Sequence, residues 1–238
     1  MNNSANRFHG TVGTGFKSTL DMVKSGYSLT IVDALNYQIL KEKLYNIQKY
    51  YYKFEENSIS TSLEGWIESV HTISKFIEIA DIDFLNGYSN IIFEGSQGIL
   101  LDQKHGVMPF CTPSNTTSKN AIDIISKLNI DVRDIMVNYV CRPYITRHGN
   151  GPLLTATPII NVDDSNNPWN DFQKSFRACK FDICLLEHSL RIDNIYSKNC
   201  NHRLIFSHAN ELSDDLLNLI QTKLNIPILK FEFETWID

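Results

Sequence analysis

Apolar residues recur near helical spacing over residues 33–55 (DALNYQILKEKLYNIQKYYYKFEEN), which predicts a helix capped by Asp33. Residues 62–81 (SLEGWIESVHTISKFIEIAD) repeat the pattern behind Ser62 and predict a second amphipathic helix. The pattern then changes. Three consecutive apolar residues, Ile91, Ile92 and Phe93, predict a buried strand over 90–94, and DIMVNYVC predicts another over 134–141. Further helices are expected over 120–128, 181–192 and 211–223, with strands over 203–207 and 227–233. The first 20 residues and the Gly-, Pro- and Asn-rich stretch from Arg147 to Trp169 read as loops. Strands alternating with helices predict an α/β fold, with a mostly parallel central sheet flanked by helices. One domain is expected over residues 1–238, with 33–81 as a helical subregion.

Composition narrows the function classes. The chain of 238 residues has a formal charge of −5 with dispersed Lys and Arg, so neither DNA nor RNA is an expected partner. No segment reaches the roughly 20 apolar residues of a membrane span, and MNNSANRFHG lacks the apolar stretch of a secretion signal. Five cysteines (Cys111, Cys141, Cys179, Cys184, Cys200), without a CxxC, suit reduced thiols and a cytoplasmic location. The His and Cys residues of the C-terminal third lack the paired spacing of a zinc site, so no metal ligand is assigned.

The densest chemistry lies in IIFEGSQGILLDQKHGVMPFCTPSNTT, Ile91–Thr117. Glycines after a buried strand let the backbone turn and approach a ligand, as at the ligand crevices of open α/β sheets. Gln97 carries both an amide donor and an acceptor, which suits a polar base edge. Thr112, Ser114, Asn115, Thr116 and Thr117 carry neutral polar groups suited to a phosphate or sugar. Asp102 and His105 read first as an acid–base pair, and second as a hydrogen bond that fixes the loop. Gly10–Ser18 (GTVGTGFKS) falls short of the phosphate-loop pattern, because Phe16 separates the second glycine from Lys17. Backbone N–H groups there, with Thr11 and Thr14, suit a looser nest for one phosphate, or else an ordinary flexible turn. Arg147 in RPYITRHGNGP reads as an anion clamp or as a solvated surface arginine.

FEGSQGILLDQKHGVMPFCTPSNTT resembles the FEGAQG…LLD…HG…SNTT segment of the adenylosuccinate synthetases over about 25 residues without a gap. Gly10 onward is similar to that family's IGTTGRGIG loop, and YITRHGNGPLLTAT to its YTTRVGxGPFPTE segment. FRACKFDICLLEHSLRIDNI resembles its arginine-rich run, and RLIFSHANEL falls where it carries a guanine-recognition strand ending in TKxD. The resemblance implies a P-loop-NTPase-like fold lacking its N-terminal part. It implies ligation of L-aspartate to C6 of IMP with GTP and Mg²⁺, by way of phosphorylated O6. It assigns Gln97, Thr112, Gly98 and Leu101 to the wall of an IMP-like purine monophosphate. Thr11 and Thr14 fall in the phosphate-binding loop, Arg177 on a nucleotide- and aspartate-contacting arginine, and His208 and Asn210 at the nucleotide base.

The departures shape the expectation. The family's GDEGKGK segment, with its catalytic Asp, and its catalytic His have no counterpart among these residues, so the catalytic residues stay unassigned. Val12 replaces a phosphate-binding Thr, His148 stands where the family has Val, and Asn210 replaces the guanine-reading Asp. Asn both donates and accepts, which weakens a preference for guanine. The expectation is therefore a ligase once complemented by a GDEGKGK-bearing half, as such a pair or as a homodimer. The alternatives are a non-catalytic purine-nucleotide-binding module, a viral-type variant ligating aspartate to a guanine monophosphate with ATP, and a poorly folding copy with an exposed sheet edge.

Overall fold

The structure, a computed structural model, describes residues 15–53, 62–162, 169, 171, 174 and 176–231. These fall into two compact units, one ending at Phe84 and one beginning at Leu85.

The first unit is helical among its described residues. Helix α1 (Phe16–Lys24) starts behind Gly15, whose φ of 87° is the left-handed geometry that glycine adopts without a steric penalty. The loop expected over the first 20 residues thus gives way to helix at Phe16, where Met22 becomes buried. A short helix α2 (Ile31–Ala34) precedes the long helix α3 (Tyr37–Tyr52). Asp33 does not cap the long helix: the Asn36 side chain does, accepting from the backbone N–H groups of Gln38 and Ile39. The Asp33 carboxylate instead accepts from the Thr30 N–H and hydroxyl and from Lys43. Helix α4 (Leu63–Ser74) begins at Ser62, as expected, with Ser62 Oγ accepting from the Gly65 N–H. It ends seven residues before the expected 81. Ser74 Oγ donates to the Ala34 and His71 carbonyls, and Phe76 and Ile77 beyond it are exposed, with no surface among the described residues that buries a further turn. Leu40 and Leu44 of α3 meet Ala34 of α2 and Ile67 of α4 in the core of this unit.

The second unit carries the sheets. Strand β1 (Met136–Cys141) pairs in parallel with β5 (Asn201–Ser207), which pairs in parallel with β6 (Ile228–Phe231). Helices α6 (Ile183–Ser197) and α7 (Asp214–Lys223) add Ile183, Leu186, Leu190, Leu216 and Ile220 to a core built on Tyr139, Leu204 and Phe206. Side chains alternate across a strand, so one face of this sheet is the core face. The α/β architecture with a parallel sheet flanked by helices is as expected. Helix α5 (Lys119–Ile125) lies within the helix expected at 120–128, apart from its first residue.

A second, antiparallel sheet departs from the sequence reading. Strand β2 (Tyr144–His148) pairs with β4 (Phe176–Lys180), which also pairs with β3 (Ile159–Ile160). It places strand where Arg147–Trp169 had read as loop, because pairing to a distant segment supplies what local propensity lacks. The strand expected at 90–94 is absent. Ile91–Phe93 pairs with no strand among the described residues, and Ile92 is 92% exposed. Among the described residues no helix is long and apolar enough to cross a membrane.

Candidate functional site

The loop from Gln97 to Thr117 is organised around one buried carboxylate. Asp102 is fully buried, and its Oδ1 accepts from the N–H groups of Lys104 (2.8 Å) and His105 (3.1 Å). Its Oδ2 accepts from the Thr116 N–H at 2.8 Å, which closes the loop on itself. Burial resists ionisation of this group, but the three N–H donors outweigh it and hold the carboxyl below its ordinary range. Of the two sequence readings of Asp102 and His105, the structure supports the loop-fixing one, through the His105 backbone. The His105 ring lies elsewhere, with Nε2 3.0 Å from the Tyr196 hydroxyl on α6.

Backbone bonds link three of the expected wall residues. The Leu101 N–H donates to the Gly98 carbonyl, and the Thr112 N–H to the Leu101 carbonyl, each at 2.8 Å. Thr116 Oγ1 donates to the Gly98 carbonyl at 2.9 Å. Gly106 sits where a Cβ would come within 2.6 Å of the Asp102 carbonyl oxygen and 2.8 Å of Cys111 Cβ, so the turn is built for glycine. Gln97 is exposed with a φ of 70°, and its amide has no partner among the described residues.

A second buried carboxylate, which sequence reading missed, ties this loop to the parallel sheet. Asp193 on α6 accepts from the Ser118 N–H (2.6 Å) and hydroxyl (2.9 Å), the Tyr139 hydroxyl (2.8 Å) and Ser197 Oγ (3.0 Å). Burial pushes the Tyr139 phenol well above its ordinary value; the Ser197 bond opposes this and the Asp193 charge adds to it. The available signal was an Asp inside the apolar helical run LRIDNIY, where a charge needs partners.

Arg147 and Arg177 stand directly opposite each other on β2 and β4. Arg147 donates to the Asn150 carbonyl through Nε (2.8 Å) and to the Phe110 carbonyl through Nη2 (2.9 Å). Arg177 Nη2 donates to the carbonyls of Gly149 (2.6 Å) and Gly151 (2.8 Å). Burial, and then the Arg177 cation, lower the Arg147 guanidinium's affinity for its proton. Among the described residues neither arginine is paired with a carboxylate, and both donate to backbone carbonyls. The pair joins the Phe110–Thr112 segment through Arg147. At Gly151, φ is 103° and a Cβ would lie 2.7 Å from Phe110 Cβ. The neighbouring His148 forms a T-shaped ring pair with Phe176, and among the described residues its buried Nε2 has no hydrogen-bond partner.

His208 and Asn210 lie at the carboxyl end of β5, the central parallel strand, where open α/β sheets bind ligands. His208 adopts left-handed geometry (φ 59°), and its Nδ1 lies 3.3 Å from Ser207 Oγ. Asn210 follows on the 3-10 turn Ala209–Glu211 and is exposed. Thr11 and Thr14 lie outside the described residues, as does most of the glycine loop.

Comparison of the sequence with known proteins points to one family. The sequence profile described as adenylosuccinate synthetase matches residues 2–212. The chain belongs to the adenylosuccinate synthetase family. It is 33% identical over 206 residues to the adenylosuccinate synthetase of Blochmanniella floridana, covering 79% of this chain and 46% of that protein. The Pelodictyon phaeoclathratiforme adenylosuccinate synthetase is 28% identical over 211 residues, covering 78% of this chain and 46% of its own length. That of Glaesserella parasuis is 33% identical over 160 residues, covering 61% and 36%. The chain thus spans less than half the length of these relatives. Among the described residues no group of three or more His, Cys, Asp or Glu converges to hold a metal ion.

Proposed function

We propose that this chain supplies the purine-monophosphate wall of an adenylosuccinate synthetase-type ligase, joining L-aspartate to C6 of IMP at the expense of GTP when complemented by a GDEGKGK-bearing segment. One observation carries this reading. The loop bearing Gln97 and Thr112 is pinned from within by Asp102, while the Gln97 amide stays exposed and unpartnered among the described residues. A preorganised loop with a spare donor and acceptor loses little entropy on meeting a purine edge. In this reading Thr112, Gly98 and Leu101 form the wall, and Thr11 and Thr14 approach the phosphate. Arg177, with Arg147, meets an anionic group of the nucleotide or of aspartate.

In the reaction, the N1–H of IMP gives up its proton to a base as the γ-phosphoryl group of GTP passes to O6, leaving GDP. The aspartate amine then attacks C6, loses a proton, and phosphate departs with O6. Binding and orientation are the roles of the residues described here. His208 and Asn210 face the base of the triphosphate, and the amide of Asn210 accepts adenine as readily as guanine. This favours, as a second reading, the variant that ligates aspartate to a guanine monophosphate with ATP.

Isothermal calorimetry of the chain with IMP, GMP and AMP tests the proposal. Binding of at least one is expected, with affinity falling about tenfold in Gln97→Ala, the equivalent of about 1.4 kcal/mol. No heat with any of the three at millimolar concentration would overturn it. Tightest binding of GMP would favour the second reading. Binding without ligation after complementation would leave a nucleotide-binding module without catalysis.

A further inference from the structure

The loop from Gln97 to Thr117 is held by two carboxylates that act on different properties. Asp102 fixes its internal shape, through the Lys104, His105 and Thr116 N–H groups. Its placement on the rest of the unit comes from α6. There Asp193, 1% exposed, accepts from the Ser118 N–H at 2.6 Å and from the Ser118 hydroxyl at 2.9 Å. Three residues on, the Tyr196 hydroxyl hydrogen-bonds His105 Nε2 at 3.0 Å, and the two rings form a T-shaped pair. Residues three apart share one face of a helix, so α6 grips the chain at His105 and again at Ser118. Between the grips lie Thr112 and Phe110, whose carbonyl accepts from Arg147 on β2.

The same helix is tied to the other parts of the proposed site. It follows directly on β4, the strand of Arg177, and its N-cap Asp182 accepts from Thr155 Oγ1 at 2.5 Å. Near its far end, Asp193 also accepts from the Tyr139 hydroxyl on β1 and from Ser197 Oγ. His202 Nε2 on β5, the strand that leads to His208 and Asn210, lies 2.9 Å from the Ser197 carbonyl. A ligand that touches both the loop and the strand-borne side chains binds tightly only where the two sets are held in place before it arrives. We propose that Asp193 and Tyr196 are positioning residues: they hold the purine wall of Gln97 and Thr112 in place against Arg177 and β5, while Asp102 gives that wall its shape. The inference rests on the nucleotide site of the proposed function, and neither residue touches the nucleotide in it.

Asp193→Ala combined with Tyr196→Phe, in the full 238-residue chain, removes both grips. Residual dipolar couplings of the backbone amides, measured by NMR without ligand, read the orientation of residues 101–117 against β1, β5 and β6. In the parent chain both sets are expected to fit one alignment. In the double variant the loop amides should still fit the loop's own geometry but no longer the alignment of the sheet. Calorimetry should then show whichever of IMP, GMP and AMP binds the parent chain held about tenfold more weakly. Asp193→Asn, which keeps a carbonyl for the Ser118 N–H, should retain most of the affinity that Asp193→Ala loses. If the double variant does not fold, Ser118→Ala with Tyr196→Phe takes its place, because it leaves Asp193 bonded to Tyr139 and Ser197; a loss of about threefold is then expected. One shared alignment in the variant, or an unchanged nucleotide affinity, would overturn the inference. Loop amides that no longer fit their own geometry would also overturn it, since shape rather than placement would have been lost. If the parent chain binds none of the three nucleotides, the nucleotide reading fails by itself, and the couplings alone decide whether α6 places the loop.

Discussion

Ile91–Phe93 and Met136–Cys141 carry the same kind of sequence, apolar and rich in β-branched or aromatic residues, yet only the second becomes a strand. Met136–Cys141 has β5 beside it in unbroken parallel register from Met136 and Asn201 to Cys141 and Phe206. Tyr139 and Cys141 also reach a core lined by Leu204, Phe206 and Leu212. Ile91–Phe93 has neither a ladder nor a core among the described residues. The loop that follows it is nevertheless ordered by polar contacts to Asp102. Apolar character therefore earns burial only where a partner surface exists, whereas a buried carboxylate orders its loop from within.

The largest expected effect removes the surface that makes one stretch a strand. Phe206→Ala, at a fully buried position beside Cys141, should cost about 3–5 kcal/mol in urea unfolding followed by circular dichroism. A cost below about 1 kcal/mol would mean that β1 does not depend on this core.

Asp102→Ala should cost about 2–3 kcal/mol, because three N–H groups lose their acceptor. Exchange should rise at Lys104, His105 and Thr116 and not in β1. The pH dependence has a definite sign. The folded-state pKa is depressed, so the contribution of Asp102 is complete above the unfolded carboxyl value of about 3.9 and is lost as pH falls through the lower folded value. In the alanine variant that part of the acid dependence should vanish.

Two glycines on either side of the site separate steric need from loop habit. Gly151→Ala should cost about 1–3 kcal/mol, since its φ of 103° and the 2.7 Å approach to Phe110 both oppose a Cβ. Gly98→Ala meets nothing within 4 Å at a φ of −123° and should change stability by less than about 0.5 kcal/mol. Thermal unfolding of the pair decides whether the Phe110 contact is as tight as described.

Ile92→Ser should have the smallest effect, within about 0.5 kcal/mol in the isolated chain. A loss of 2 kcal/mol or more would show that Ile92 is buried in solution and would erase the contrast with β1.

Several features were readable because they are local. Ser62 announced its helix, since an N-cap needs only the next turn. The misplacement of the cap at Asp33 came from the same region: Thr30 and Asn36 each start a helix, and the chain breaks between them at Leu35. The motif around Gln97 was legible as a polar turn and as a family signature. The role of Asp102 was not, because its third donor, Thr116, lies 14 residues away. Strand β4 (FRACK) gave no local signal at all, since Arg, Ala and Lys are weak strand formers and only β2 and β3 make it one.

By itself the sequence determined the helical segments from Tyr37 onward, the alternation that yields an α/β fold, and the family. All three are written in short-range spacing and in the identity of consecutive residues. Tertiary structure alone decided that Asp102 and Asp193 are anchors, that Arg147 and Arg177 face each other, and that Ile91–Phe93 stays unpaired among the described residues. Each of these depends on which distant segment supplies a donor, a strand or a surface, and hydrophobic pattern does not encode the address of its partner.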